Sequence, residues 1–278
     1  MHLLILGLGY TATRVAAAFV EQGGTVAATT RDGRAGTIRF EDAAAVGAQI
    51  AAATHILSSV PPEGETDPVL LAYGPQLACS SAWFGYLSST GVYGDAGGAW
   101  VDETAPTGTG RRSARTRADA DWLRRGARVF RLPGIYGSGR SALDRVREGK
   151  AHLVDSPGQV FSRVHVDDIV SGVMAALTGP PGAYNLADDQ PCAQNDVIAF
   201  AARLLDLDPP AFKPLGELSP MARAFYAENR RVANGRAKRV LGWTPRYPDY
   251  RTGLRALSAI TSPTPVSAAP PAASADQR

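Results

Sequence analysis

An α/β fold built on a doubly wound parallel sheet is what this sequence predicts, and three observations predict it. Short apolar runs of strand character alternate with helical patterns as far as residue 132, which is the spacing of βαβ units in a parallel sheet. The first unit carries a glycine turn, Gly7-Leu8-Gly9-Tyr10-Thr11-Ala12, between its strand and its helix. After residue 135 glycine, proline and longer helical patterns take over. Such a second half usually forms a small substrate-binding cap at the carboxyl ends of the strands.

Each element follows from local pattern. Residues 2–6 are the first strand. Ala12, Val15, Ala16 and Phe19 then recur at i, i+3, i+4 and i+7, one face of a helix, and Gly23-Gly24 supplies its C-terminal stop. Residues 25–30 are the second strand, and Ile38-Arg39-Phe40 a short third; the crossover between them is too short for a full helix. An alanine-rich helix over 43–52 precedes a fourth strand, His55 to Val60, ended by Pro61-Pro62. A helix over about 68–79 leads to a fifth strand, Phe84 to Ser89. A helix over 113–125 leads to a sixth, Arg128 to Leu132. Residues 194–206 make an amphipathic helix with Val197, Phe200, Ala201 and Leu204 on one face. From Thr261 the chain is Ser, Pro, Thr and Ala with almost no bulky apolar residue, so a disordered tail over 261–278 is expected.

The glycine turn gives the first functional expectation. Strand, GxGxxA, helix and second strand is the order of a dinucleotide-binding βαβ unit. Gly7 allows the tight turn, Gly9 lets the backbone approach a pyrophosphate, and the small Ala12 lets the helix pack close to the strand. The helix N-terminus offers its unpaired N–H groups to the phosphates. The second strand ends Thr29-Thr30-Arg31. An acidic residue there would select NAD through the ribose 2′-OH, whereas a basic one meets the 2′-phosphate of NADP. Arg31 therefore points to NADP, with NAD possible; Asp32 comes one residue late, and a solvated loop arginine is the plain alternative.

Composition narrows the classes. With 278 residues and 45% hydrophobic side chains the chain has material for a full core. A net charge of +3 from 29 basic and 26 acidic residues gives no basic stripe for a nucleic-acid partner. Two cysteines, Cys79 and Cys192, with no CxxC or His/Cys cluster, argue against a metal site and a disulfide framework. The first apolar tetrapeptide lacks a basic flank and is broken by Gly7, so it reads as a strand and not a signal peptide. No run approaches the length of a membrane span. The expectation is a cytoplasmic monomer or homodimer acting on a small-molecule substrate, with neither nucleic acid nor membrane as partner.

Several further segments recur in a fixed order. They are Leu87-Ser88-Ser89-Thr90-Gly91-Val92-Tyr93-Gly94, Arg131-Leu132-Pro133-Gly134-Ile135-Tyr136-Gly137, Arg163-Val164-His165-Val166-Asp167-Asp168, Tyr184-Asn185-Leu186-Ala187-Asp188, and Leu241-Gly242-Trp243 with Pro245. With the N-terminal turn, the set resembles the extended short-chain dehydrogenases/reductases of the NAD-dependent epimerase/dehydratase type, over about residues 1–257, in a compact atypical branch. The resemblance implies a Rossmann-type domain over 1–135, completed by about 160–187, cap segments over 136–159 and 188–260, and the tail. It implies cofactor contacts from Gly7, Gly9, Tyr10, Thr11, Ala12, Thr30, Arg31, Ser58, Ser59, Ser88 and Pro133.

The family carries its chemistry on a Ser/Thr and a Tyr-x-x-x-Lys pair. Ser89 matches the Ser/Thr. The pair has no match: the chain has three lysines, Lys150, Lys213 and Lys238, and none of its nine tyrosines precedes a lysine by four residues. By register with Asp119, Arg111 stands at the tyrosine position and Arg115 at the lysine position. Arginine keeps a positive charge for ribose or phosphate, but its pKa above about 12 bars it from ordinary acid–base work. Tyr93, Tyr136 and His165 are the candidate stand-ins, with stacking or helix anchoring as their structural alternatives, and Asp102-Glu103 is a carboxylate pair or an acidic turn. Tyr93 is also a candidate substrate contact, and Arg163, Arg230 and Arg231 are candidate cap-side contacts for an anionic substrate. The function expected is an NAD(P)-dependent oxidoreductase or epimerase on a small polar or sugar-like substrate. The alternative is a dinucleotide-binding sensor or regulator without turnover, which the missing pair favours and Ser89 opposes.

Overall fold

The computed structural model describes residues 1–108, 110 and 113–261. Arg111 and the segment after Thr261 lie outside the described residues. The elements in chain order are β1 (His2–Leu6), α1 (Tyr10–Glu21), β2 (Thr25–Thr30), β3 (Ile38–Arg39), α2 (Ala43–Ala52), β4 (His55–Ser58), α3 (Pro68–Ala78), β5 (Trp83–Ser89), β6 (Trp100–Val101), α4 (Ser113–Arg124), β7 (Arg128–Leu132) and β8 (Gly134–Tyr136). They continue with α5 (Ala142–Arg147), β9 (Leu153–Val154), β10 (Arg163–His165), α6 (Val166–Ala175), β11 (Gly182–Asn185), α7 (Gln194–Leu204), β12 (Phe212–Lys213), α8 (Pro220–Tyr226), β13 (Arg231–Val232), α9 (Gly235–Leu241) and α10 (Tyr250–Thr261).

Seven strands form one parallel sheet in the order β11-β7-β5-β4-β1-β2-β3. The order reverses between β1 and β4, so a crevice opens at their carboxyl ends. The two faces are built by alternation along each strand. Leu3 and Ile5 of β1 join Ala12, Val15 and Phe19 of α1 and Ile169 and Val173 of α6 on one face. Leu4 and Leu6 point the other way, onto Val46 and Ile50 of α2, Tyr73 and Leu77 of α3, and Trp122 of α4. Every one of these side chains is at most 2% exposed, as a central strand with both faces covered requires.

The short crossover between β2 and β3 holds only a single 3₁₀ turn, Arg34–Gly36. β4 stops at Ser58, two residues sooner than expected, because Ser59 turns its hydroxyl onto the Gly7 carbonyl at 2.6 Å and the chain enters Pro61-Pro62. Asp67 caps α3, accepting from the Val69 and Leu70 amides, and Pro68 occupies the first helical position.

Three of the remaining helices pack on one another. Leu143, Val146, Val197, Phe200, Tyr250 and Leu254 bring α5, α7 and α10 into a separate apolar cluster. Two-residue parallel pairings stitch β6 to β13 and β9 to β12, and β8 pairs with β10 over three residues. The β6–β13 pairing fastens the loop after β5 to the segment 229–233. There the Ala96 and Gly98 amides donate to the Asn229 carbonyl at 3.0 and 2.9 Å.

Candidate functional site

The cleft at the carboxyl ends of the strands has two adjoining parts that share Gly9 and Ser59. The first is lined by the glycine turn, the end of β2 and the prolines after β4: Gly7, Gly9, Thr30, Arg31, Asp32, Arg34 and Pro61 are among its walls. Gly7 sits at φ +91°, and a Cβ there would meet Val60 Cγ2 at 2.8 Å, so backbone conformation and packing both demand glycine. Gly9 differs. Its φ of −102° and ψ of −171° suit any residue, and an added Cβ would meet nothing within 4 Å. The protein itself does not need glycine at position 9; open space in the cleft does the asking.

Gly9 is also the N-cap of α1, and no side chain caps that helix end. The first-turn amides of a 12-residue helix therefore face the cleft with its positive dipole end. Ala12, 1% exposed, lies under the turn against β1 and lines neither part of the cleft. Ser58, fully buried, is likewise outside the walls. Thr30 lines the cleft, but its hydroxyl is spent on the turn, within 2.7 Å of Thr37 Oγ1 and 3.0 Å from the Gly33 amide. Arg31 is exposed and has no carboxylate at ion-pair distance among the described residues. Arg34, which the sequence reading passed over, shares this wall and pairs loosely with exposed Asp32 at 3.6 Å.

The second part encloses about 470 Å³, a size suited to a small molecule. Its walls include Tyr10, Thr11, Ser59, Ser88, Ser89, Arg115, Pro133, Arg140, Phe161, Phe225, Glu228 and Arg230. Tyr10 reaches across to donate to the Ser138 carbonyl at 3.0 Å, with Arg14 and Arg140 over its ring at 3.9 and 5.7 Å. Ser89 ends β5, and its hydroxyl accepts from the Gly91 amide at 3.1 Å, leaving the hydroxyl proton for the cleft. Arg115 donates to Tyr86 Oη at 2.9 Å and reaches the Leu87 carbonyl at 3.5 Å, which draws the guanidinium onto β5.

Behind this wall lies a buried polar network. Arg131 of β7 forms a fork with Asp119 of α4, at 2.7 and 3.1 Å, with both side chains at most 5% exposed. Ser88 donates to the same carboxylate at 2.7 Å. Arg131 also donates to Tyr93 Oη, which donates in turn to Asn185. Burial opposes charge on Arg131, but Asp119 and Tyr93 outweigh it and hold the guanidinium charged. Asp119 lies one helical turn after Arg115, so this network sets how α4 faces the cleft.

Several residues singled out in the sequence are therefore placed elsewhere, and the physical reasons are plain. Tyr93 is 3% exposed and committed to Arg131 and Asn185; burial, against the pull of Arg131, pushes its hydroxyl up to about 12. Tyr136 is buried toward α10, edge-on to His165, and burial raises its pKa far above neutrality. His165, 2% exposed, caps α6 by accepting from the Asp167 amide at 3.2 Å; burial lowers its pKa, so it stays neutral. Neither Tyr136 nor His165 lines the cleft. Arg163 is 6% exposed, and its donors go to the Phe161 and Cys192 carbonyls and to Gln194. Arg231 donates to the Gly98 carbonyl, as part of the β6–β13 stitching. Arg230 does line the cleft, but Glu228 already balances its charge at 2.9 Å. Asp102 caps the Thr104 turn and Glu103 accepts from the Asn185 amide at 2.7 Å, an acidic turn and not a carboxylate pair in the cleft.

The sequence reading missed Arg140, Phe161, Phe225 and Glu228, because no local pattern marks them; they come together only through the C-terminal layer. Asp188 closes the segment Tyr184-Asn185-Leu186-Ala187-Asp188. It is 2% exposed, and burial, against the pull of Arg163, pushes its carboxyl up to about 8. A carboxyl whose folded pKa lies above its unfolded value keeps a proton that the unfolded chain has lost. Stability should therefore fall as pH rises from about 3.9 to about 8, by up to about 1.4 kcal/mol per unit. Asp188→Asn should flatten that slope. Urea unfolding of both proteins at intervals across this window checks it, and parallel curves would refute the assignment.

Comparison with known proteins places this geometry. No protein-family model matches the chain. A solved structure of a functionally unknown conserved protein from Silicibacter pomeroyi DSS is 41% identical, with a TM-score of 0.83 over 93% of this chain and 98% of that one. The chain belongs to the family of that conserved protein. Human epimerase family protein SDR39U1, solved with NADPH, superposes with a TM-score of 0.74 at 17% identity, over 93% of this chain and 99% of that one. The fold is thus that of the extended short-chain dehydrogenases/reductases. Among curated proteins, a 3-diazoavenalumate denitrifying reductase from a Streptomyces species is 33% identical over 138 residues, 45% of each chain. The chain spans about half the length of the curated relatives it matches. Ser89 at the end of β5 and Arg115 of α4 both line the second part of the cleft. No helix among the described residues is long and apolar enough to cross a membrane.

Proposed function

We propose that this protein binds NADP(H) across the two-part cleft and works as an oxidoreductase on a small polar substrate. The observation that carries the reading is Gly9: a position where the protein tolerates a side chain, but where that side chain would fill the space before an uncapped helix N-terminus. A pyrophosphate fits that space and charge. The Tyr10 and Thr11 end of α1 would hold it, with Arg140 close by over the Tyr10 ring. Arg31, and Arg34 beside it, would meet the 2′-phosphate. Ser88 and Pro133 would flank the nicotinamide end, where the bound cofactor supplies or accepts hydride.

Two resemblances support the reading. The related human fold is described with NADPH, and the Streptomyces relative is named as a reductase acting on 3-diazoavenalumate. That name favours reduction over epimerisation for this chain. The non-catalytic alternative rests on the missing Tyr-x-x-x-Lys pair, since general acid–base help is worth about 10²–10⁴-fold. Ser89 at the strand end, on the wall of the cleft, favours turnover. NADPH oxidation over a panel of carbonyl and other electrophilic acceptors separates the two. Binding without oxidation of any acceptor would leave the sensor.

The cofactor preference has its own test. A charge-assisted contact to the 2′-phosphate contributes about 1.5–3 kcal/mol, and about 1.4 kcal/mol is tenfold in Kd. Wild type should therefore bind NADPH about tenfold or more tightly than NADH, and Arg31→Ala should erase most of that ratio. Fluorescence titration of both cofactors measures it, and equal affinities in wild type would remove the 2′-phosphate assignment.

A further inference from the structure

We propose that Arg115 and Ser89 form a fixed-charge seat for an oxyanion carried on a flat conjugated ring, so that the substrate of this cleft is of the phenolate class. The proposal rests on the cofactor reading above and names the substrate class for the same cleft.

Three arginines, Arg115, Arg140 and Arg230, are among the walls. Arg230 is neutralised by Glu228 at 2.9 Å, and the two side chains are 15% and 10% exposed. Arg140 stands at the Tyr10 side, where a pyrophosphate would lie. Arg115 remains. Among the described residues no carboxylate comes within ion-pair distance of it. Its partners are the neutral hydroxyl of Tyr86 and the Leu87 carbonyl. Burial, opposed by Arg115 itself, raises the Tyr86 pKa far above neutrality, so that hydroxyl never takes up the arginine's charge. Tyr86 is in turn held by stacking on Trp122, 5.5 Å between centroids and 14° between planes. The guanidinium is thus tethered by one nitrogen and keeps its other N–H groups for the cleft.

Ser89 supplies the second donor. Its oxygen accepts from the Gly91 amide at 3.1 Å, which orients the hydroxyl and leaves its proton to give. Two donors, one permanently charged, suit an oxygen that bears negative charge. The apolar part of the wall selects the body behind that oxygen. Leu132, Ile135, Val160 and Val232 are apolar, and Phe161 stacks on Phe225 at 4.6 Å and 7°. Phe225 lines the cleft and leaves 46% of its surface exposed, apolar area open to another ring.

The experiment uses the full chain and 4-nitrophenol, whose phenolate has its own absorbance band. The probe is titrated against pH with wild type, Arg115→Gln and Arg115→Lys, with and without saturating NADP⁺. The Kd for NADP⁺ is read by tryptophan fluorescence in the same samples. Bound to wild type, the probe should ionise about one pH unit or more below its solution value, a tenfold preference for the phenolate. Arg115→Gln should lose that shift while holding its NADP⁺ affinity within about twofold; Arg115→Lys should keep part of it. A wild type that binds no probe or shows no shift overturns the proposal, and so does an unchanged shift in Arg115→Gln. Loss of NADP⁺ affinity in Arg115→Gln with the shift retained makes Arg115 a cofactor contact and also overturns it. A normal phenolate shift in a chain that binds no NADP⁺ would keep the seat and refute the cofactor reading instead.

Discussion

Gly9→Val is expected to raise the Kd for NADPH by about fivefold to a hundredfold while the free protein stays folded. The backbone at Gly9 lies in the extended region, and an added Cβ meets no heavy atom within 4 Å. The Cβ of a valine therefore meets no clash in the free protein. Its cost to the free chain is limited to a poorer N-cap, about 1 kcal/mol or less. With a pyrophosphate in place the side chain would overfill a packed contact, at about 1–3 kcal/mol, and about 1.4 kcal/mol is tenfold in affinity. Isothermal titration with NADPH, beside thermal unfolding of the free protein, checks both halves. Wild-type affinity in the variant would show that the turn is structural only. A Gly7 substitution cannot make this distinction, because Gly7 at φ +91° is needed by the fold itself.

The second large effect is expected at Asp119. Asp119→Ala leaves the Arg131 guanidinium buried and unpaired, and breaking a buried ion pair in this way costs about 3–5 kcal/mol. Ser88 loses its acceptor at the same time, and α4 loses its anchor on β7. The unfolding midpoint in urea should drop accordingly, and the cofactor should bind more weakly, since Ser88 of β5 loses the partner that holds its hydroxyl. The double variant Asp119→Leu with Arg131→Met removes both charges and should recover much of the stability without restoring the site. A single variant as stable as wild type would mean that the fork at 2.7 and 3.1 Å carries little weight.

The N-terminal unit was legible because its signals are local. The apolar run of β1, the positive-φ glycine, the N-terminus of α1 and the arginine after β2 all fall within about thirty residues, and each follows from backbone geometry or periodicity. The parallel order of the strands follows from the same alternation. Strand ends moved by a residue or two where side chains intervened, as at Ser59, whose bond to the Gly7 carbonyl diverts the chain after Ser58.

The candidate site was legible only in part, and the split has a physical cause. Sequence by itself determined the fold class, the glycine turn, Ser89 at a strand end and the missing Tyr-x-x-x-Lys pair, since all of these are set by residue type and spacing along one segment. It left Tyr93, Tyr136, His165 and Arg163 as open candidates, because a polar residue in a motif looks the same whether it faces a cleft or fills a core. Tertiary structure decided among them. Tyr93 joined the Arg131 network, His165 capped α6 and Arg163 satisfied backbone carbonyls. Arg140, Phe161, Phe225 and Glu228 reached the wall of the cleft from segments remote in sequence. Whether a charge is free is likewise a matter of contacts made across the fold: Arg115 of α4 rests on the neutral hydroxyl of Tyr86 of β5. Hydrogen bonding and burial between distant segments determine which side chains keep an unspent donor or charge, and those pairings exist only once the chain has packed.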